Sequence, residues 1–215
     1  MIIQNDILKN GLYTVSEAAT YARLHYSTLH RWMEINEFKI MNGEKFITFL
    51  DFVQALAIRE IRRQHNISLQ KIREALNRAK DEYEITHPFA MNHATFLLGK
   101  DIHIKLKDES DLTQLTGKQS GQMVMRPIIE VYLHDLTFGE SGLAIEYKPY
   151  NGILMNPLIN FGEPILENAK LPAFDLWEAV QTEGSFEGAA EAYGISKEEV
   201  IIASKYIETL NLQAA

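Results

Sequence analysis

Between Leu12 and Leu76 the chain carries, in one fixed order and with short gaps, signals for two short helices, a tight hairpin and two longer helices. That order constrains the fold more than any other feature. Thr14 is placed to cap a helix, and Glu17, three residues on, can reach back to close a capping box. Val15, Ala18, Ala19 and Ala22 give this first helix a narrow face of small apolar side chains, so a second helix can cross close by at a steep angle. A turn at Arg23-Leu24-His25 leads to a helix expected over 26–34. It buries Leu29 and Trp32 and leaves Tyr26, Ser27, His30 and Arg31 on other faces.

From Phe38 to Ile47 apolar and polar residues alternate around Asn42-Gly43, the dipeptide of a two-residue hairpin, with Lys39 and Lys45 near its tip. Val53, Leu56, Ala57 and Ile61 then recur at helical spacing, and Ser68 caps a further helix carrying Leu69, Ile72 and Leu76. Arg59, Arg62 and Arg63 line the first of these two helices. Their commoner fate is a solvated face, with contact to DNA as the alternative.

The segments Thr14 to Ala19, Ser27-Thr28-Leu29-His30-Arg31-Trp32 and Ile67 to Leu76 together resemble the MerR superfamily of winged helix-turn-helix regulators. The resemblance implies that the helix holding Tyr26 to Trp32 enters the major groove and that the Asn42-Gly43 wing touches the phosphate backbone. Tyr26, Ser27, Thr28, His30, Arg31, Lys39 and Lys45 are the expected DNA-binding residues. Ser27 and Thr28 also suit a plain helix start, and Leu29 and Trp32 are expected to do nothing but pack.

The formal net charge of −8 argues against nucleic acid only until it is divided along the chain. Residues 1–80 hold 12 Lys and Arg against 8 Asp and Glu, a balance of +4, which leaves 9 against 21, or −12, for residues 81–215. A basic front end meets the need of phosphate contacts. The acidic remainder is repelled by a duplex and is expected to meet something else. Cysteine is absent, which excludes disulfides and thiolate metal sites. With no apolar run long enough for a bilayer and no basic leader at Met1 to Asp6, a cytoplasmic address and no membrane contact are expected.

Asp81 to Glu84 and the break at Pro88 are expected to end the second long helix. Ile102, Ile104 and Leu106 alternate with His103, Lys105 and Lys107 as in a half-buried strand. Leu143, Ile145 and Tyr147 do the same, and Pro127 to Leu133 suits a short helix or another strand. A small sheet with one helix against it is expected here. Beyond Asn156-Pro157, Gly162-Glu163-Pro164 and Leu171-Pro172, three short helices follow, with expected stripes of Phe174, Trp177 and Val180; of Phe186, Ala189, Ala190 and Tyr193; and of Val200, Ile201, Ser204 and Ile207. Ser196 and Glu199 cap the last.

This final segment resembles a small helix-turn-helix-like domain that recurs in antitoxins of VapBC-type toxin-antitoxin pairs. The resemblance rests on Asn156-Pro157, Gly162-Glu163-Pro164, Leu171-Pro172, Gly184 to Glu187 and Tyr193-Gly194-Ile195-Ser196 through Val200. The chain departs from that pattern at Glu167-Asn168-Ala169, where the family has a Gly-Thr-Arg run. From Pro172 onward it has 2 lysines against 8 acids, so this unit is not assigned to DNA despite its shape. The front end, a middle block with His87-Pro88-Phe89-Ala90 and Gly121-Gln122, and this tail together resemble one subgroup of VapB-like antitoxins.

The expected architecture is therefore α+β: a winged helix-turn-helix head with its helical arm over 1–80, a small mixed α/β middle over 81–150, and a three-helix, helix-turn-helix-like tail over 151–215. The resemblance implies a DNA-binding antitoxin that represses its own operon and neutralises a cognate PIN-type ribonuclease toxin. A homodimer is expected, because one small reading head makes few base contacts. The alternative is a stand-alone MerR-like transcriptional regulator whose C-terminal region binds an effector or a protein, and a third class is a protein-only adaptor.

No enzyme, cofactor or metal is expected. Thr116 to Ser120 lacks the glycine spacing of a phosphate loop, and His87 and His93 are too far apart for a helical metal pair. The acids Asp108, Glu109 and Asp111 read as a solvated turn.

Overall fold

The computed structural model describes residues 8, 10–33, 39–41, 43–92, 95–98, 101–105, 112–114, 126–127 and 135–211. Leu106, Asp108 to Asp111, Thr116 to Gln122, Ile128 to Leu133, Asn42 and His93 lie outside them, so the expectations placed there carry no structural counterpart. The described residues form a mixed α+β protein.

The capping box at Thr14 is formed: the Glu17 amide donates to the Thr14 hydroxyl at 3.2 Å, and the Glu17 carboxylate accepts from the Thr14 amide at 2.8 Å. It ends β1 (Gly11–Thr14) and starts α1 (Val15–Tyr21). Val15, Ala18, Ala19 and Ala22 are all buried, and α2 (Tyr26–Met33) crosses on them with Leu29, Trp32 and Met33 inside. Strands β2 (Lys39–Met41) and β3 (Glu44–Thr48) pair antiparallel with Met41 opposite Glu44, and Gly43 has φ +83°, the left-handed backbone that such a turn requires. Strand β1 pairs with the other side of β3, giving the sheet order β1-β3-β2.

Helix α3 (Phe49–His65) departs from its expected one-sided stripe. Phe49 to Ile58 are buried on every face, and Asp51 and Gln54 are buried with them. Such a helix is surrounded by protein rather than lying on a surface. One face meets β1, β3 and α2, and the other meets the 3-10 turn Pro88–Ala90 and β9 (Ala144–Tyr150). The Phe52 ring lies 5.4 Å from that of Tyr13 and 5.9 Å from that of Tyr147. The Gln54 amide is fully buried and makes no hydrogen bond among the described residues. Gln54→Met keeps the volume and removes the desolvated amide, so it is expected to raise the unfolding free energy by about 1 kcal/mol in a urea titration.

Thr48 and Asp51 form a second capping box at the start of α3, and the other Asp51 carboxylate oxygen lies 3.1 Å from His87 Nε2. Burial pushes the Asp51 carboxyl up, but the hydrogen bond and charge of His87 and the bonds from Thr48 together outweigh it and hold the group below its usual range. A depressed carboxylate contributes stability that is present above its unfolded pKa and is lost as pH falls through its folded one. Stability is therefore expected to drop below about pH 4, and Asp51→Asn to flatten that acid limb of the unfolding curve.

Helix α4 (Leu69–Tyr83), capped by Ser68, buries Ile72, Ala75, Leu76 and Ala79. It ends at Glu84, which takes the left-handed C-cap position. It packs against β5 (Asp101–Lys105) of a sheet ordered β6-β5-β4-β7, where β4 is Thr95–Leu98, β6 Leu112–Gln114 and β7 Arg126–Pro127. His103, expected on a solvent face, is buried together with its neighbour Ile102. Adjacent strand residues point to opposite faces, so protein covers both sides of β5 at this point.

A further sheet, ordered β11-β10-β9-β8, joins β8 (Leu136–Phe138), β9, β10 (Ile153–Met155) and β11 (Ile165–Leu166). Tyr150 closes β9 and Asn151 opens the turn to its paired strand β10. Along β9 the buried side chains are Ala144 and Tyr147, whereas Leu143 and Ile145 are only half-buried. Register shifts on both flanks of the strand break the simple alternation.

The tail is α5 (Ala173–Glu183), α6 (Phe186–Tyr193) and α7 (Lys197–Asn211). In α5 the inward row is Ala173, Leu176 and Ala179. Phe174 is 55% exposed, and Trp177 and Val180 are half-buried. On α6 Ala189 and Ala190 are buried and Tyr193 is exposed; on α7 Val200, Ser204 and Ile207 are buried and Ile201 only partly. The Ser196-Glu199 capping box is present. Glu167, at the departure from the family pattern, pairs with Lys148. No helix among the described residues is long and apolar enough to cross a membrane.

Head and tail are tied together. The Tyr13 hydroxyl donates to the Gly162 carbonyl at 2.8 Å in a buried setting, and Arg23 donates to the Thr209 hydroxyl at 3.0 Å. Burial among other tyrosines and near Glu163 and Glu17 pushes the Tyr13 hydroxyl well above its usual pKa, keeping it a neutral donor.

Candidate nucleic-acid interface

Helix α2 and the β2–β3 hairpin share one side of the head. Tyr26, Ser27 and Arg31 on the helix and Lys39 and Lys45 on the hairpin are exposed, and Thr28 and His30 are half-buried. The Lys45 ammonium lies 3.2 Å from His30 Nε2, which brings hairpin and helix together, and the Tyr26 and His30 rings are 5.8 Å apart. Five of the seven expected residues thus stand in solvent, and no part of the chain's described fold covers them.

The backbone that carries them is held from behind. The carbonyl of His25 accepts from the Thr28 and Leu29 amides, and His25 Nδ1 accepts from the Ser27 amide at 3.3 Å and lies 2.8 Å from its hydroxyl. His25 therefore caps α2, a role hidden in sequence because histidine is not among the usual capping residues. At the other end of the helix the Arg73 guanidinium of α4 donates to the Arg31 carbonyl at 2.7 Å. That bond satisfies a terminal helix carbonyl and leaves the Arg31 side chain pointing to solvent.

The arginines of α3 divide into three situations. Arg59 is turned inward: its guanidinium donates to the Ala22 carbonyl at 2.6 Å and pairs with Glu60 at 2.9 Å, which clamps the C-terminal end of α1 and removes this residue from any DNA-facing set. Arg62 lies 5.9 Å from the Trp32 ring, where its charge is attracted to the ring face. Arg63 is exposed. Arg59, Arg62 and Arg73 are the residues that sequence reasoning missed as positioning groups. Their partners are a backbone carbonyl, a carboxylate or an aromatic ring, none of which leaves a spacing signal.

The surface is suited to backbone and base-edge contacts. It offers guanidinium and ammonium donors, a phenol and an imidazole on a helix eight residues long, flanked by a projecting hairpin whose Ile40 is 71% exposed. Among the described residues no three His, Asp or Glu side chains converge as metal ligands.

No family model matches the chain. In sequence it is similar to a Mycobacterium tuberculosis (strain ATCC 25618 / H37Rv) protein named "Putative antitoxin VapB45": 23% identity over 220 aligned residues that take in 88% of this chain and 90% of that one. In fold it is similar to the X-ray crystal structure of Rv2018 from Mycobacterium tuberculosis, with a TM-score of 0.65 and 18% identity across 91% of this chain and 98% of that one. Both likenesses run nearly end to end, so the head, the middle sheets and the helical tail belong to one shared architecture.

Proposed function

We propose that this chain is a VapB-like antitoxin. In this reading the head is a MerR-like winged helix-turn-helix that binds double-stranded DNA through Arg31, Lys39, Lys45 and their neighbours and represses the operon encoding it. The acidic remainder holds and neutralises a cognate toxin, a ribonuclease of PIN type by the family resemblance. The observation that carries the reading is the end-to-end similarity to a protein with an antitoxin name. The exposed basic side of α2 and the hairpin supports its DNA-binding half. Two copies side by side would place two reading helices on successive major-groove faces, which is the reason to expect a homodimer and a palindromic operator. The reading assigns this chain no catalytic residue and a cytoplasmic address.

Charge separates the two halves of the proposal. The duplex attracts the +4 head and repels the −12 remainder, which leaves the acidic part to a basic protein surface. Co-purification of the tagged chain from its native host, followed by mass spectrometry, tests the partner half. A co-encoded basic nuclease held in stoichiometric amount is the expected result, and purification of the chain alone at native expression level contradicts it.

A further inference from the structure

The geometry points to a second binding site, for a small organic cation, in the cleft between α1 of the head and the start of α5 and end of α7 in the tail. The cleft encloses about 390 Å³, within the range of small-molecule sites. About half of its wall is apolar, with Tyr21 on the head side, Pro164 and Pro172 on the connecting loops, and Ile207 and Leu210 on α7. The side chain of Phe174 lines it too, 55% exposed although it belongs to a packed helix.

The charge lining this space is all of one sign. Glu17, Glu163 and Asp175 line the cleft from three different segments, and among the described residues no lysine or arginine pairs with Glu163 or Asp175. Glu17 cannot turn away, because the capping box with Thr14 fixes its carboxylate. Burial first, and then the nearby charges of Glu17 and Asp175, push the Glu163 carboxyl upward. A hydrated divalent ion does not answer this arrangement, since the three carboxylates do not converge as a ligand group. An occupant with a guanidinium or ammonium head on a short alkyl body does: the head meets the carboxylates, the body meets the proline and leucine walls, and Phe174 offers an aromatic face to the charge. Nucleic acid is excluded by sign. The site stands on this cleft alone and is independent of the antitoxin reading.

Thermal melting and calorimetric titration of the full chain with n-butylguanidinium, its neutral isostere n-butylurea, and sodium chloride at matched ionic strength test it. The expected result is an upward shift of several degrees with millimolar n-butylguanidinium and none with the other two. Affinity should weaken about tenfold in Glu163→Gln and vanish in Glu163→Gln combined with Asp175→Asn, while Glu191→Gln on α6 leaves it unchanged. Removing a repelled carboxylate does not unfold the chain, so the unliganded melting temperature of Glu163→Gln should match or exceed that of the parent. An equal shift with n-butylurea, an unchanged shift in the double variant, or no shift with n-butylguanidinium overturns the proposal. So does a response confined to an arginine-rich peptide, which would make the cleft a protein-docking surface instead.

Discussion

Replacing Gly162 with alanine should destabilise the whole chain by roughly 3 to 6 kcal/mol, a large part of a typical domain's stability. Three effects add. Gly162 has φ +78°, where an L side chain costs about 1–2 kcal/mol. A Cβ there would stand 2.4 Å from the Tyr13 hydroxyl oxygen, so a buried aromatic must move, at about 1–3 kcal/mol. Any such movement also strains or breaks the buried bond from Tyr13 to the Gly162 carbonyl, worth about 1 kcal/mol. For a chain of this length the melting temperature should fall by roughly 6–24 °C. Tyr13→Phe deletes the atom that the new methyl meets, so Gly162→Ala should cost less in that background than in the parent. A double-mutant cycle in urea checks this directly. Additive costs would mean that the contact between head and tail is incidental.

Arg31→Ala and Lys45→Ala should leave folding unchanged and strip DNA affinity. Both side chains are exposed, and the bond from Arg73 to Arg31 uses the Arg31 backbone carbonyl, which alanine keeps. An arginine reading a base edge is worth about 1–3 kcal/mol, or roughly 5- to 150-fold in affinity, and its loss should relax sequence preference. Lys45 at a phosphate should act uniformly across sequences and lower the salt slope by about 1 when removed. Arg59→Ala should show the opposite pattern, because its guanidinium is committed to Ala22 and Glu60 inside the protein. Its effect is expected on melting temperature first and on DNA binding only through loss of fold.

The features legible in sequence were those whose partners lie within a few residues. The capping boxes at Thr14 and Ser196 are such cases, since donor and acceptor are three residues apart. The hairpin strands followed from the alternation around Asn42-Gly43 and the small face of α1 from its alanines. Long-range partners decided the rest. Periodicity gave α3 a single apolar face, but β9 and the Pro88–Ala90 turn cover its other side, so Phe49, Phe52 and Ala55 are buried as fully as Val53 and Leu56. In α5 two rows at i, i+3 spacing compete. The row with larger rings, Phe174 and Trp177, is the outer one, because α7 packs on Ala173, Leu176 and Ala179. The Tyr13–Gly162 bond spans 149 residues of chain and leaves no local trace. Motif spacing placed the seven interface candidates on one helix and one hairpin, where the structure has them, whereas the neighbouring Arg59, Arg62 and Arg73 bond to carbonyls and rings that no spacing rule marks.

In the proposed function the head meets a duplex through the exposed side of α2 and the hairpin. Fluorescence anisotropy of the full chain on the DNA upstream of its own gene, over a salt series and against excess unrelated duplex, tests it most directly. Binding is expected to weaken steeply as salt rises, to survive the competitor, and to be lost together with part of the salt slope in Arg31→Ala combined with Lys45→Ala. No binding at low salt, or binding that the double variant leaves untouched, would contradict it.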